Sequence, residues 1–108
     1  MDNQFDYINS LMPYYLRLLT DRQQEILKLY YYEDLSLTEI AENLGISRNG
    51  VYDTLKKAEN SLKEYEDKLH LCQQSSFRVQ KYNEILNNEN ADYKNIIMEL
   101  KTREEEYE

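Results

Sequence analysis

Leu11, Tyr14, Tyr15, Leu18 and Leu19 recur at the i, i+3, i+4, i+7, i+8 spacing of one helical face. The spacing predicts a helix over about residues 10–19, with Phe5 and Ile8 leading in. Pro13 then falls near the start, where a missing N–H costs little. Thr20-Asp21-Arg22-Gln23 has the form of a capping box, and Asp21 suits the positive end of a helix. Ile26, Leu27, Leu29, Tyr30 and Tyr31 give this second helix a broad apolar face, ending near Tyr32.

The next stretch is the most informative. Ser36-Leu37-Thr38-Glu39 repeats the capping box ahead of Ile40, Ala41 and Leu44. Gly45 stops that helix as a residue able to take positive φ. Ile46 packs back, and Ser47 caps another helix whose inner face is Val51, Leu55, Ala58 and Leu62. Two capped helices around a turn of about four residues form a helix-turn-helix. Ala41 is small where the second helix crosses close above it. Ile40, Leu44, Ile46, Val51 and Leu55 fill the wedge between the two.

From Glu59 onward, Leu62, Tyr65, Leu69, Cys72, Ser76, Val79, Asn83 and Leu86 alternate in steps of three and four. The pattern predicts that the recognition helix continues to about Leu71. A looser Gln-Ser stretch follows at 73–76, and then a helix over 77–86. Asn87-Asn88-Glu89-Asn90 reads as a break. A last helix is expected over about 91–102, with Tyr93, Ile96, Ile97 and Leu100 on one face, and Glu104-Glu105-Glu106 frayed and solvated. The fold class is therefore all-α: a helix-turn-helix headpiece, residues 1–71, and a C-terminal helical extension, residues 72–108.

Composition narrows the chemistry. The chain has 108 residues and a formal charge of −8, so any contact with nucleic acid must rest on a local basic face. Residues 47–58 carry Arg48, Lys56 and Lys57 against Asp53, a net charge of +2. Residues 21–44 carry two cations against six carboxylates, a net charge of −4. Cys72 and His70 are single copies, which leaves a disulfide within the chain and a Cys/His zinc site without ligands. Eleven tyrosines supply most of the aromatic surface. Of Tyr30-Tyr31-Tyr32, two are expected to face the core or a partner. No apolar run reaches the length of a membrane span, and no signal peptide opens the chain, so the cytoplasm is the expected compartment. There is no nucleophile–base pair, no Gly-rich phosphate loop and no ligand cluster. The expectation is a protein that is not an enzyme and needs no cofactor.

Opposite Val51, Leu55 and Ala58, the outer face of the recognition helix holds Arg48, Asn49, Tyr52, Asp53 and Lys56. At its N-terminal end, Arg48 suits a guanine edge and Asn49 an adenine edge. Lys56 and Lys57 suit phosphate, as does Ser47 at the helix start. Asp53 opposes phosphate unless it pairs with Lys56 or Lys57. Tyr52 fits a base stack or a protein interface, with packing on a neighbouring helix as the plainer alternative. Direct DNA binding and a headpiece reused for protein or ribonucleoprotein contact both stay open. Leu69, Cys72, Val79 and Leu86 lie on the stripe of the extension and are candidates for a homodimer seam, with packing onto the headpiece as the rival. Cys72 is expected to behave as a small buried hydrophobe and His70 as an exposed helix residue.

The runs Leu19-Thr20, Gln23, Leu29-Tyr30-Tyr31-x-Glu33-Asp34-Leu35-Ser36-Leu37-x-Glu39-Ile40-Ala41 and Ile46-Ser47-Arg48-x-x-Val51-Tyr52-Asp53 resemble the YlxM family. So does the continuation from Leu62 through Tyr65-Glu66-x-Lys68-Leu69. The resemblance covers about residues 10–71. It implies a helix-turn-helix like that of region 4 of bacterial sigma factors. It also implies an association with the signal recognition particle pathway, whose GTPase or RNA would be the partner. Gly50 departs from the alanine common in that family. It is expected to weaken the recognition helix by up to about 1 kcal/mol.

Overall fold

The computed structural model describes residues 3–87 and 92–105. Among them are six helices and no strand. The chain divides into two compact units, Met1–Leu69 and His70–Glu108.

The first unit opens with α1, Asn3–Tyr15. It starts well before the expected residue 10, because Phe5, Ile8, Met12 and Tyr15 also share a helical face. Ile8, Leu11, Met12 and Tyr15 are buried, while Tyr14 and Leu18, assigned to the inner face from sequence, are exposed. Pro13 therefore sits in the last turn. It takes the hydrogen-bond donor from the Asn9 carbonyl, but both residues are exposed and water can replace it. A 3-10 turn, Leu16–Leu18, ends the element.

Thr20 caps α2, Asp21–Leu27. Its hydroxyl accepts from the Gln23 N–H at 3.2 Å, and the Gln23 side chain accepts from the Thr20 N–H at 3.1 Å. The helix then widens into a π-type turn, Lys28–Tyr32, where the Glu33 N–H reaches the Lys28 carbonyl at 3.1 Å. The helical pattern does not distinguish such a turn from α. Tyr31 is buried in it, Tyr30 half-buried and Tyr32 exposed. Tyr30 and Tyr31 pack on Phe5, with ring centres 6.4 and 4.7 Å away.

Ser36 caps α3, Leu37–Leu44, through the reciprocal bonds to Glu39 that the sequence predicts. Gly45 closes it at φ 68°, ψ 35°, and the Ile46 N–H donates to the Ala41 carbonyl at 3.1 Å. Ser47 caps α4, Arg48–Leu69, by accepting from the Gly50 N–H at 2.9 Å. α1, α2 and α3 all pack on α4, whose buried residues include Val51, Leu55, Ala58 and Leu62.

His70 stands at φ 56°, so α4 ends at Leu69 rather than continuing to Leu71. It is half-buried and outside any helix, not an exposed helix residue. The second unit begins with α5, Leu71–Asn87, unbroken through 73–76. Glutamine is a good helix former and serine a tolerable one, so the expected loosening does not occur. Cys72 is half-buried rather than buried. The break expected at 87–90 lies, beyond Asn87, outside the described residues. Asp92 caps α6, Tyr93–Glu105, accepting from the Asn95 N–H at 3.2 Å. Glu104 and Glu105 are helical and exposed; Glu106 is outside the described residues. On the expected face Ile96 is buried and Leu100 half-buried, but Tyr93 and Ile97 are exposed.

α5 and α6 run antiparallel, and charged side chains bridge them. Lys81 pairs with Glu99 across the helices and lies 3.4 Å from Glu84 on its own. Arg78 meets Glu104 at 3.2 Å, and the Arg103 guanidinium stacks 4.0 Å from the Phe77 ring centre. The pair with Glu99, then that with Glu84, holds the Lys81 ammonium above its ordinary pKa of about 10.5. Gln74, 8% exposed, finds no hydrogen-bond partner for either side-chain amide atom among the described residues.

Candidate nucleic-acid interface

The candidate interface lies on the N-terminal turns of α4. Val51, Leu55 and Ala58 point inward and are buried, which turns Arg48, Asn49, Tyr52, Asp53, Lys56 and Lys57 outward, where all are exposed. Ser47 is exposed beside them, its hydroxyl engaged with Gly50. The helix-turn-helix thus brings every sequence-derived contact candidate to one end of α4.

The local electrostatics differ from the sequence expectation. Asp53 has no ion pair among the described residues. Lys56 pairs with Glu59, Nζ to Oε1 at 3.4 Å, and its ammonium lies 5.6 Å from the centre of the Tyr52 ring. Three residues down one helix face is the ordinary reach for such a pair. Tyr52 is exposed, with the Lys56 cation over its ring.

Sequence reasoning missed two buried carboxylates on the inner side of α4. Glu59 accepts the Tyr31 hydroxyl through Oε2, and Glu66 accepts the Tyr15 hydroxyl at 2.6 Å. They are 4% and 8% exposed. A signal was present: both glutamates fall four residues after a core leucine, on the apolar stripe, in a chain rich in tyrosine. These bonds fix α4 against α1 and against the π-type turn, and so fix the face that α4 presents.

The dimer candidates do not share one helix. The turn at His70 leaves Leu69 on α4 and puts Cys72, Val79 and Leu86 on α5. Leu69, Val79 and Leu86 are exposed. Among the described residues no three His, Cys, Asp or Glu side chains gather as a metal site would require, and no helix is long and apolar enough to cross a membrane.

Among known proteins, a family described as "Putative helix-turn-helix protein, YlxM / p13 like", UPF0122, matches residues 2–103. The UPF0122 protein of Thermoanaerobacter sp. (strain X514) is 49% identical over 87 residues, 81% of this chain and 68% of the relative. That of Desulforamulus reducens is 49% identical over 84 residues, 78% of this chain and 72% of the relative. That of Streptococcus pneumoniae (strain Hungary19A-6) is 46% identical over 79 residues, 73% of this chain and 72% of the relative. With its capped helices, the Gly45 turn and the match over nearly all of its length, the chain belongs to the UPF0122 family.

Proposed function

We propose that this chain is a non-enzymatic regulatory protein of the cytoplasm that binds duplex DNA through the N-terminal turns of α4. The observation that carries the reading is the outward set Arg48, Asn49 and Tyr52 on the second helix of a helix-turn-helix. In that motif the first residues of the second helix reach base edges in the major groove. Arg48 takes a guanine edge, Asn49 an adenine edge, and Lys57 a phosphate. With a net charge of +2 at the site on a chain of −8, binding is weak at high salt and depends strongly on it.

A fluorescence-anisotropy titration with duplex from the protein's own promoter, an unrelated duplex and a structured RNA tests this. Selective binding to the promoter that disappears in the Arg48→Ala/Asn49→Ala variant supports it. Promoter binding unchanged in that variant overturns it.

The acidic balance of the chain supports a second reading, an accessory factor that touches protein or RNA instead of DNA. The resemblance to YlxM makes the signal recognition particle GTPase or its RNA the partner to try, by pull-down from the producing cell. Under either reading, the exposed apolar Val79 and Leu86 of α5, the helix that also carries Cys72, suit a homodimer, and the exposed Leu69 at the end of α4 is a separate candidate.

A further inference from the structure

Lys56 belongs to the exposed face, yet its ammonium has a prior engagement. Glu59 is 4% exposed. One of its oxygens accepts the Tyr31 hydroxyl. The other, Oε1, is fully covered, has no hydrogen-bond partner among the described residues, and has Lys56 Nζ 3.4 Å away as its compensating charge. Lys56 itself is about half exposed, with room to swing outward. Such a swing would leave a buried carboxylate oxygen without a cation, and breaking a pair of that kind is far more costly than breaking an exposed one. Lys57, one residue on, has no ion pair among the described residues.

We propose that Glu59 is a positioning residue that holds Lys56 on the protein, against the Tyr52 ring, and withholds it from nucleic-acid phosphate. The inference rests on the nucleic-acid reading above. It assigns the phosphate contact to Lys57 and keeps the exposed Tyr52 ring as the candidate stacking group for a base. It also makes a buried residue, outside the contact surface, a limit on affinity.

The test is a salt series of anisotropy titrations with a labelled duplex, on the full chain. Removing one lysine–phosphate pairing lowers the slope of log affinity against log salt by about 0.9. Lys57→Gln is expected to lower it by that amount, and Lys56→Gln to leave it unchanged. Glu59→Gln keeps an acceptor for the Tyr31 hydroxyl while removing the charge that holds Lys56. It is expected to steepen the slope by about 0.9 and to tighten binding several-fold at low salt. Adding Lys56→Gln to Glu59→Gln should cancel that gain. A full drop in slope in Lys56→Gln alone overturns the proposal.

A second readout does not depend on DNA. Acetylation by an activated ester, followed by mass spectrometry, should modify Lys56 several-fold more slowly than Lys57. Glu59→Gln should equalise them, and Tyr31→Phe, which leaves the carboxylate in place, should not. Equal rates in the unaltered chain overturn the proposal. Absence of any duplex binding with Lys56 still protected removes the DNA reading alone. If Glu59→Gln does not fold, the two lysine variants and the two acetylation rates still decide the matter.

Discussion

Tyr15 and Glu66 stand 51 residues apart in sequence and meet in a 2.6 Å hydrogen bond, phenol to carboxylate, in the buried interior of the headpiece. The bond ties the end of α1 to the end of α4. Seven residues earlier on α4, Glu59 takes the Tyr31 hydroxyl in the same manner. A slide of α4 by one turn would break both bonds at once and leave two carboxylates buried without their donors. The pair therefore selects a single setting of the helix that carries Arg48 and Asn49.

Tyr15→Phe should destabilise the protein by about 1.5 to 3 kcal/mol, the range for a hydrogen bond to a charged group. Urea unfolding followed by circular dichroism would measure it. A change below about 0.5 kcal/mol would mean that the bond contributes no more than an ordinary surface interaction.

The two glycines should respond in opposite directions. Gly45 has open space around its Cα but sits at φ 68°, so Gly45→Ala is expected to cost about 1 to 2 kcal/mol. Gly50 is helical, and an added Cβ would lie 3.0 Å from the Ser47 hydroxyl oxygen, which can shift by a few tenths of an ångström. Gly50→Ala is therefore expected to stabilise by about 0.5 kcal/mol. Melting temperatures moving the same way in both variants would contradict this.

Gln74 is buried with both amide atoms unpaired among the described residues, so an apolar side chain of similar size should suit its site better. Gln74→Leu is expected to raise stability by about 1 kcal/mol, because an unsatisfied buried amide carries a penalty of that order. Thermal unfolding of the full chain is the measurement, and a lower melting temperature would count against the burial argument.

Lys81 has its folded pKa raised above about 10.5 by Glu99 and Glu84. The stabilisation it gives is fully present below the unfolded value and is lost as pH rises through the folded one. Methyl resonances of Ile96, followed by NMR above about pH 10.5, should report loosening of the second unit in the unaltered chain. Lys81→Arg keeps its charge there and should shift the change to higher pH. Identical profiles would remove the pair from the account.

Self-association should show as a mass near twice that of the chain in sedimentation equilibrium. Leu86 is 79% exposed, and Leu86→Glu should lower that mass without changing helix content. Mild oxidation should link Cys72 to its twin. A monomer mass at every concentration would end the dimer proposal.

The start of α2 and the helix-turn-helix over residues 36–62 were legible from sequence because each carries its own local signal, whereas the π-type turn at 28–32 carries none. Thr20, Ser36 and Ser47 mark starts, Gly45 marks a stop, and the apolar spacing fills the faces between them. The first helix was displaced because two overlapping apolar patterns coexist, and Tyr14 and Leu18 belong to the one that packing rejects. The stop at His70 has no glycine or proline to announce it; a histidine at positive φ looks like any helical residue. At the site, the outward set from Ser47 to Lys57 followed directly from the inner face. The Lys56–Glu59–Tyr31 chain did not, because it depends on a tyrosine 28 residues from its glutamate, a relation that only tertiary packing creates.

The π-type turn at Lys28–Tyr32 holds one residue more than the regular turn it replaces. Winding the same five residues as a regular helix would turn the side chains towards its end by most of the roughly 100° that one residue spans. Tyr31 would then miss Glu59, and the Leu35 N–H would no longer reach the Leu29 carbonyl that it meets at 3.0 Å. The wide winding of this segment is thus set by where a buried acid must find a phenol.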